Sequence, residues 1–114
     1  MNFLDGVVNG KSVEVPALKG AFELPMNLPA SGTEVTLGIR PEHIKIDASG
    51  DLLNVDLSEA LGGVSYAYLA SEGGEKLIVE ERGDHRSEVG ARVGISFPVE
   101  RAMLFDKKSE LRLR

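Results

Sequence analysis

The sequence contains no cysteine and no tryptophan, and only 5 of its 114 residues are proline. Without a thiol, a disulfide scaffold, a thiolate metal centre and a cysteine nucleophile are all excluded. Basic charge is also short: 13 Lys and Arg stand against 18 Asp and Glu, a formal net charge of −5. Phosphate neutralisation needs a basic stripe and a high pI, so a nucleic-acid surface is excluded. The deficit is uneven. From Arg101 onward five basic residues face two acidic ones, a local +3, which leaves −8 on residues 1–100. No apolar run approaches the ~18 residues that span a bilayer, and no basic-then-apolar segment opens the chain. These absences point to a soluble domain of a reducing compartment.

What is present suits one folded unit. Hydrophobic residues make up 42% of the chain and charge is interspersed, which excludes a disordered segment. At this size roughly two-thirds of the unfolded surface can be buried, enough for one core. The 13 glycines and frequent period-two alternation predict many short strands.

Val35, Leu37 and Ile39 alternate with Glu34, Thr36 and Arg40, and Pro41 must end that strand because it cannot donate to a ladder. Ile44 and Ile46 resume the pattern, and Leu53, Val55 and Leu57 define another half-buried strand. Val64, Tyr66, Tyr68 and Ala70 share one face, Glu72-Gly-Gly-Glu75 turns the chain, and Leu77 to Val79 returns it, so residues 64–82 read as a hairpin. Val93, Ile95 and Phe97 form a strand closed by Pro98, and Leu111 and Leu113 alternate once more. At the front, Phe3 to Val8, Val13 to Val15 and Phe22 to Leu24 are strands divided by Asn9-Gly10 and Lys19-Gly20. The best helical stretch is one turn near Val99 to Met103. Such spacing predicts an all-β small barrel or sandwich.

Catalytic constellations are missing. Gly6-Val-Val-Asn-Gly10-Lys11-Ser12 has three residues between its glycines where a phosphate-binding loop has four, and no helix pattern follows it; a hairpin turn is the reading. His43 and His85 stand 42 positions apart with no cysteine to join them, and adjacent Glu42 and His43 on a strand would face opposite ways. Glu80, Glu81 and Asp84 read as a solvated strand end, and Arg82-Gly83-Asp84 is too short to inform. Tyr66 and Tyr68 could stack bases on a barrel, but without interleaved Lys or Arg they read as core or subunit-interface residues.

One stretch is more specific. Leu37-Gly-Ile-Arg-Pro-Glu-His-Ile44 resembles the signature of the C-terminal regulatory region of ABC importer ATPase subunits of the carbohydrate, polyol and glycerol-phosphate type. Met1-Asn-Phe-Leu4 resembles the family's junction with its nucleotide-binding domain, Glu59-Ala-Leu-Gly62 its Glu-x-Leu-Gly segment, and Pro98-Val-Glu-Arg-Ala-Met-Leu-Phe105 its closing motif. The resemblance spans nearly the whole chain. It implies a single TOBE domain over residues 1–114, an oligonucleotide-binding-like barrel of short antiparallel strands.

The family's nucleotide loop, signature motif and catalytic carboxylate are absent. The resemblance therefore implies a non-catalytic piece of a longer subunit, with Met1 an internal residue and ATP and Mg belonging to the nucleotide-binding domain before it. It implies a second copy of the ATPase subunit as dimer partner, permease subunits reached through the missing domain, a regulatory protein as a further partner, and a cytoplasmic place at the inner membrane face. Gly38, Arg40, Pro41, Glu42 and His43 are the regulatory or dimer-contact residues so implied, with a structural corner and an internal Arg40 ion pair as the competing reading. Glu59, Gly62, Glu100 and Arg101 read as structural. The alternative function is a small-oxyanion, molybdate-type module, for which Ser31, Thr33, Lys45 and Ser65 supply hydroxyls and a cation that nothing in the sequence clusters.

Overall fold

Alternation at the front of the chain is carried into the fold residue by residue: Asn2, Leu4, Gly6 and Val8 point inward while Phe3, Asp5, Val7 and Asn9 point out. The computed structural model describes residues 1–82 and 87–113. Among them the strands are β1 (Asn2–Asn9), β2 (Ser12–Val15), β3 (Gly20–Glu23), β4 (Glu34–Ile39), β5 (Lys45–Asp47), β6 (Leu53–Ala60), β7 (Val64–Ala70), β8 (Lys76–Arg82), β9 (Arg92–Ser96), β10 (Met103–Asp106) and β11 (Arg112–Leu113). The fold is all-β, as expected. Its only helical pieces among the described residues are 3-10 turns at Pro16–Leu18, Pro41–His43 and Val99–Arg101.

The strands form two antiparallel sheets, one in the order β11-β10-β4-β1-β2-β3 and the other β5-β9-β6-β7-β8. The second sheet curls until its outer strands β5 and β8 touch, which gives it barrel character. One hydrophobic cluster fills the space between the sheets, with Leu4, Leu37, Ile39, Leu53, Leu69 and Leu104 at 0–2% exposure. Phe22 and Phe97 add a tilted ring contact at 5.1 Å across the gap. No helix among the described residues is long and apolar enough to cross a membrane.

Turns differ from expectation by one residue at two places. The first hairpin turns on Gly10-Lys11, with Asn9 paired to Ser12. The left-handed residue before β3 is Lys19 (φ 49°), with Gly20 already in the strand. The 64–82 hairpin forms as read, from Val64↔Arg82 to Ala70↔Lys76. Met103–Asp106 is a strand that the sequence reading missed.

Two expectations are corrected in β6 and β7. Residues Val55 and Leu57 oppose Leu69 and Tyr68, which leaves Asp56 as an extra residue, a β-bulge. The bulge turns Leu57 outward, at 49% exposure, and brings Ser58 inside. In β7 the core face is Ser65, Ala67 and Leu69, so Tyr66 and Tyr68 lie half-buried on the outer face and not in the core.

Candidate functional site

The Gly38–Ile44 stretch is the place where the chain leaves one sheet for the other. Gly38 is the penultimate residue of β4, opposite Phe3 on one side and Met103 on the other. Its missing side chain seats the Phe3–Phe105 pair, edge-to-face at 6.0 Å; a Cβ here would come within 3.1 Å of the Phe105 ring. Pro41 then opens a 3-10 turn whose fixed φ suits its first position. The His43 amide donates to the Arg40 carbonyl at 3.0 Å and the Ile44 amide to the Pro41 carbonyl at 3.4 Å. Ile44 plugs the corner into the core at 2% exposure.

Side chains at this corner point in different directions. Arg40 and Glu42 are exposed, Pro41 and His43 half-buried, and Gly38 is buried. Among the described residues Arg40 forms no ion pair. The His43 Nδ1 is buried with no hydrogen-bond partner among the described residues. The corner packs against β8, and Glu42 lies close enough to Tyr66 to disfavour its phenolate.

Beside the corner lies the outer face of β6, β7 and β8, which carries Tyr66 and Tyr68, the pair that the sequence placed in the core or at a subunit interface. Its cross-strand rows are Leu57–Tyr68–Ile78 and Glu59–Tyr66–Glu80. The Tyr66 hydroxyl donates to Glu80 Oε1 at 3.2 Å, and Tyr68 hydrogen-bonds Glu59. A carboxylate on each phenol raises both tyrosine pKa values above 10.0. Lys76, one row further, pairs with Asp56 at 3.0 Å, and Arg82 approaches Glu80 at 3.5 Å. The signal that could have found this face was the bulge, and a bulge leaves no mark on a single sequence.

Other candidates disperse. Gly6 is inside β1 and Gly10 in a hairpin turn, as read. The oxyanion set does not converge: the Ser31 hydroxyl accepts from the Gly10 amide, Thr33 donates to Ala30, Lys45 is exposed on the other sheet and Ser65 faces the core. Glu81 corrects the reading of a solvated strand end, for it is 7% exposed and accepts from the Ser87 hydroxyl at 2.8 Å. Gly83, Asp84 and His85 lie outside the described residues. Among those described, no three His, Asp or Glu side chains gather as a metal site.

Comparison with known proteins gives two family matches, the TOBE domain over residues 37–105 and the MalK OB fold domain over residues 1–44. The lactose transport ATP-binding protein LacK of Rhizobium radiobacter is 35% identical over 93% of this chain and 32% of its own length. The sn-glycerol-3-phosphate import ATP-binding protein UgpC of Chromohalobacter salexigens is 36% identical over 95% of this chain and 30% of its own. The chain thus spans about a third of the length of these relatives. In fold it is similar to the molybdate-bound cytoplasmic molybdate-binding protein ModG, with a TM-score of 0.68, 16% identity, and coverage of 91% of this chain and 94% of that one.

Proposed function

Because the chain belongs to the TOBE domain family, we propose that it is the non-catalytic regulatory and dimer-contact domain of an importer's ATP-binding subunit, serving sugars or related solutes. The observation that carries this reading is the likeness, over more than nine-tenths of the chain, to transport ATP-binding proteins three times as long. ATP and Mg are then bound by a nucleotide-binding domain outside these residues, and the permease subunits meet that domain too. The subunit works in the cytoplasm at the inner face of the membrane.

The fold supports the mechanical part of this role. Two sheets over one core make a stiff body, and a stiff body held against a second copy converts closure of distant nucleotide halves into rotation. Arg40 and Glu42 present charge from a corner fixed by Pro41, with His43 beside them and Gly38 anchoring the strand that leads there. They are the residues through which a second copy or a regulatory protein acts. Nucleic acid is no partner, since like-charge repulsion dominates over residues 1–100.

Three measurements on the 114-residue chain test the reading. ATP turnover should be absent; measurable turnover would sink it. Sedimentation should detect weak self-association, because the nucleotide halves that complete a dimer are elsewhere. Calorimetry with molybdate should give no heat, as Ser31, Thr33, Lys45 and Ser65 do not meet; micromolar binding would replace the proposal with the oxyanion module.

A further inference from the structure

We propose that the cleft on the outer face of β1, β4 and β10 binds a small aromatic zwitterion, of the class of the aromatic α-amino acids. This goes beyond the dimer-contact reading and does not depend on it.

The floor of the cleft is aromatic. Phe3 on β1 and Phe105 on β10 lean together over Gly38, on the strand between them. Their rings meet edge-to-face at 6.0 Å and 68°, and Phe3 is 58% exposed, so the pair is open to a third ring. Aromatic rings add to such a pair at centroid distances of about 4.5–7 Å, with an attraction beyond that of plain apolar burial. The cleft measures about 510 Å³, within the range of roughly 300–1,000 Å³ typical of small-ligand sites.

The rim carries charge of both signs. Thr36, Asp106, Lys107 and Glu110 complete the lining. Asp106 is committed to its own turn, because its Oδ1 accepts from the Lys108 and Ser109 amides. Lys107 and Glu110 stand three positions apart on that turn, yet among the described residues no ion pair joins them. Glu110 has no ion-pair partner among those residues, and Lys107 reaches only Asp5, at 3.5 Å. Glu110 also holds a left-handed backbone at φ 62°, a conformation that favours glycine. The turn thus carries a carboxylate where its backbone alone calls for no side chain.

Opposite charges that line one cavity without meeting define the ligand. A lone anion would face Glu110, and a lone cation would face Lys107. A neutral hydroxylated ring would leave both without a counter-charge. An aromatic α-amino acid satisfies all three elements: its ammonium goes to Glu110, its carboxylate to Lys107, and its ring to Phe3 and Phe105. Lys107 gives up little in turning from Asp5, since that carboxylate is 74% exposed and such surface pairs are weak. The cleft is open and its charges are solvated, so a Kd on the order of 1 mM is expected.

The test is a nuclear magnetic resonance titration of the whole isotope-labelled chain with L-phenylalanine. Phenylacetate lacks the ammonium, phenethylamine lacks the carboxylate, and L-alanine lacks the ring. L-Phenylalanine should shift the signals of Phe3, Phe105 and Glu110 and bind most tightly. Each of the two half-charged analogues should lose on the order of tenfold, the loss of one charge-assisted contact, and L-alanine should leave the two rings unmoved. Both rim residues are on the surface, so their variants keep the fold. Lys107→Gln should weaken L-phenylalanine and phenylacetate and spare phenethylamine. Glu110→Gln should weaken L-phenylalanine and phenethylamine and spare phenylacetate.

No shift up to the solubility limit of L-phenylalanine, or shifts confined to other residues, would overturn the site. Phenylacetate, phenethylamine or D-glucose binding as tightly as L-phenylalanine would overturn the zwitterion. Variants that weaken all three aromatic probes equally would overturn the assignment of one charge to each rim residue.

Discussion

The side-chain amide of Asn2 holds both backbone groups of Ile78: its Nδ2 donates to the Ile78 carbonyl at 2.8 Å, and its Oδ1 accepts from the Ile78 amide at 2.7 Å. A side chain from the first sheet thereby completes the open edge of β8 in the second, as a neighbouring strand would. Asn2 is 5% exposed, so water cannot take its place. Asn2→Ala leaves a buried N–H and C=O unpaired and should cost about 1–3 kcal/mol. Asn2→Asp, which turns a carboxylate oxygen on the Ile78 carbonyl and buries a charge, should cost at least as much. Urea unfolding followed by circular dichroism measures both; a midpoint unchanged in Asn2→Ala would contradict the clamp.

Gly50 and Gly94 touch through their backbones. A Cβ at Gly50 would stand 2.3 Å from the Gly94 nitrogen and 2.5 Å from its Cα, with no flexible side chain to give way. Gly50→Ala should therefore destabilise by about 2–3 kcal/mol, the upper end of overpacking penalties. Gly94→Ala, whose Cβ meets its nearest neighbour at 3.3 Å, should cost less. The ranking of the two thermal midpoints decides the matter.

Acid should weaken the fold through surface turns. The Ser109 and Lys108 amides donate to Asp106 Oδ1 at 3.0 and 2.9 Å, and these bonds hold its carboxyl below the usual 3.8. Asp47 is lowered likewise by the Ser49 hydroxyl and amide. A depressed folded pKa contributes stability above the unfolded value and loses it as pH falls through the folded one. Stability should hold from neutrality to about pH 4 and decline below it. Asp106→Asn should flatten part of that decline in unfolding midpoints taken from pH 6 to pH 2.

The two phenols should titrate late. Removing the carboxylate that Tyr68 bonds, with Glu59→Gln, should bring its ionisation back toward 10.0 and leave Tyr66, which bonds Glu80, raised. Absorbance of the phenolate across alkaline pH reads both transitions. Two coincident transitions in the wild type that Glu59→Gln does not separate would contradict the assignment.

Much of this architecture was legible because period-two alternation is a local signal. Val35, Leu37 and Ile39 face the core as their spacing predicts, and Pro41 and Pro98 stop their strands. The 64–82 hairpin followed from paired glycines. What failed was phase. Leu53, Val55 and Leu57 look like one face, yet a single unopposed residue at Asp56 puts Leu57 on the other, and nothing local to β6 announces it. Tyrosine has an apolar ring and a polar tip, so pattern alone could not say which face of β7 holds Tyr66 and Tyr68. At the candidate site the corner was readable from Pro41, while its contact with β8 joins residues almost 40 positions apart in the chain.

Both ends of the described chain belong to the same sheet, because β4 pairs directly with β1 on one side and β10 on the other. Residues 45–96, the whole second sheet, are thus looped out between two strands that already lie side by side. A pull applied between Asn2 and Leu113 runs through the β1–β4–β10–β11 ladder and goes around the looped-out sheet. Load enters that sheet sideways, through the Asn2 clamp on Ile78, and not along the connections that lead into it.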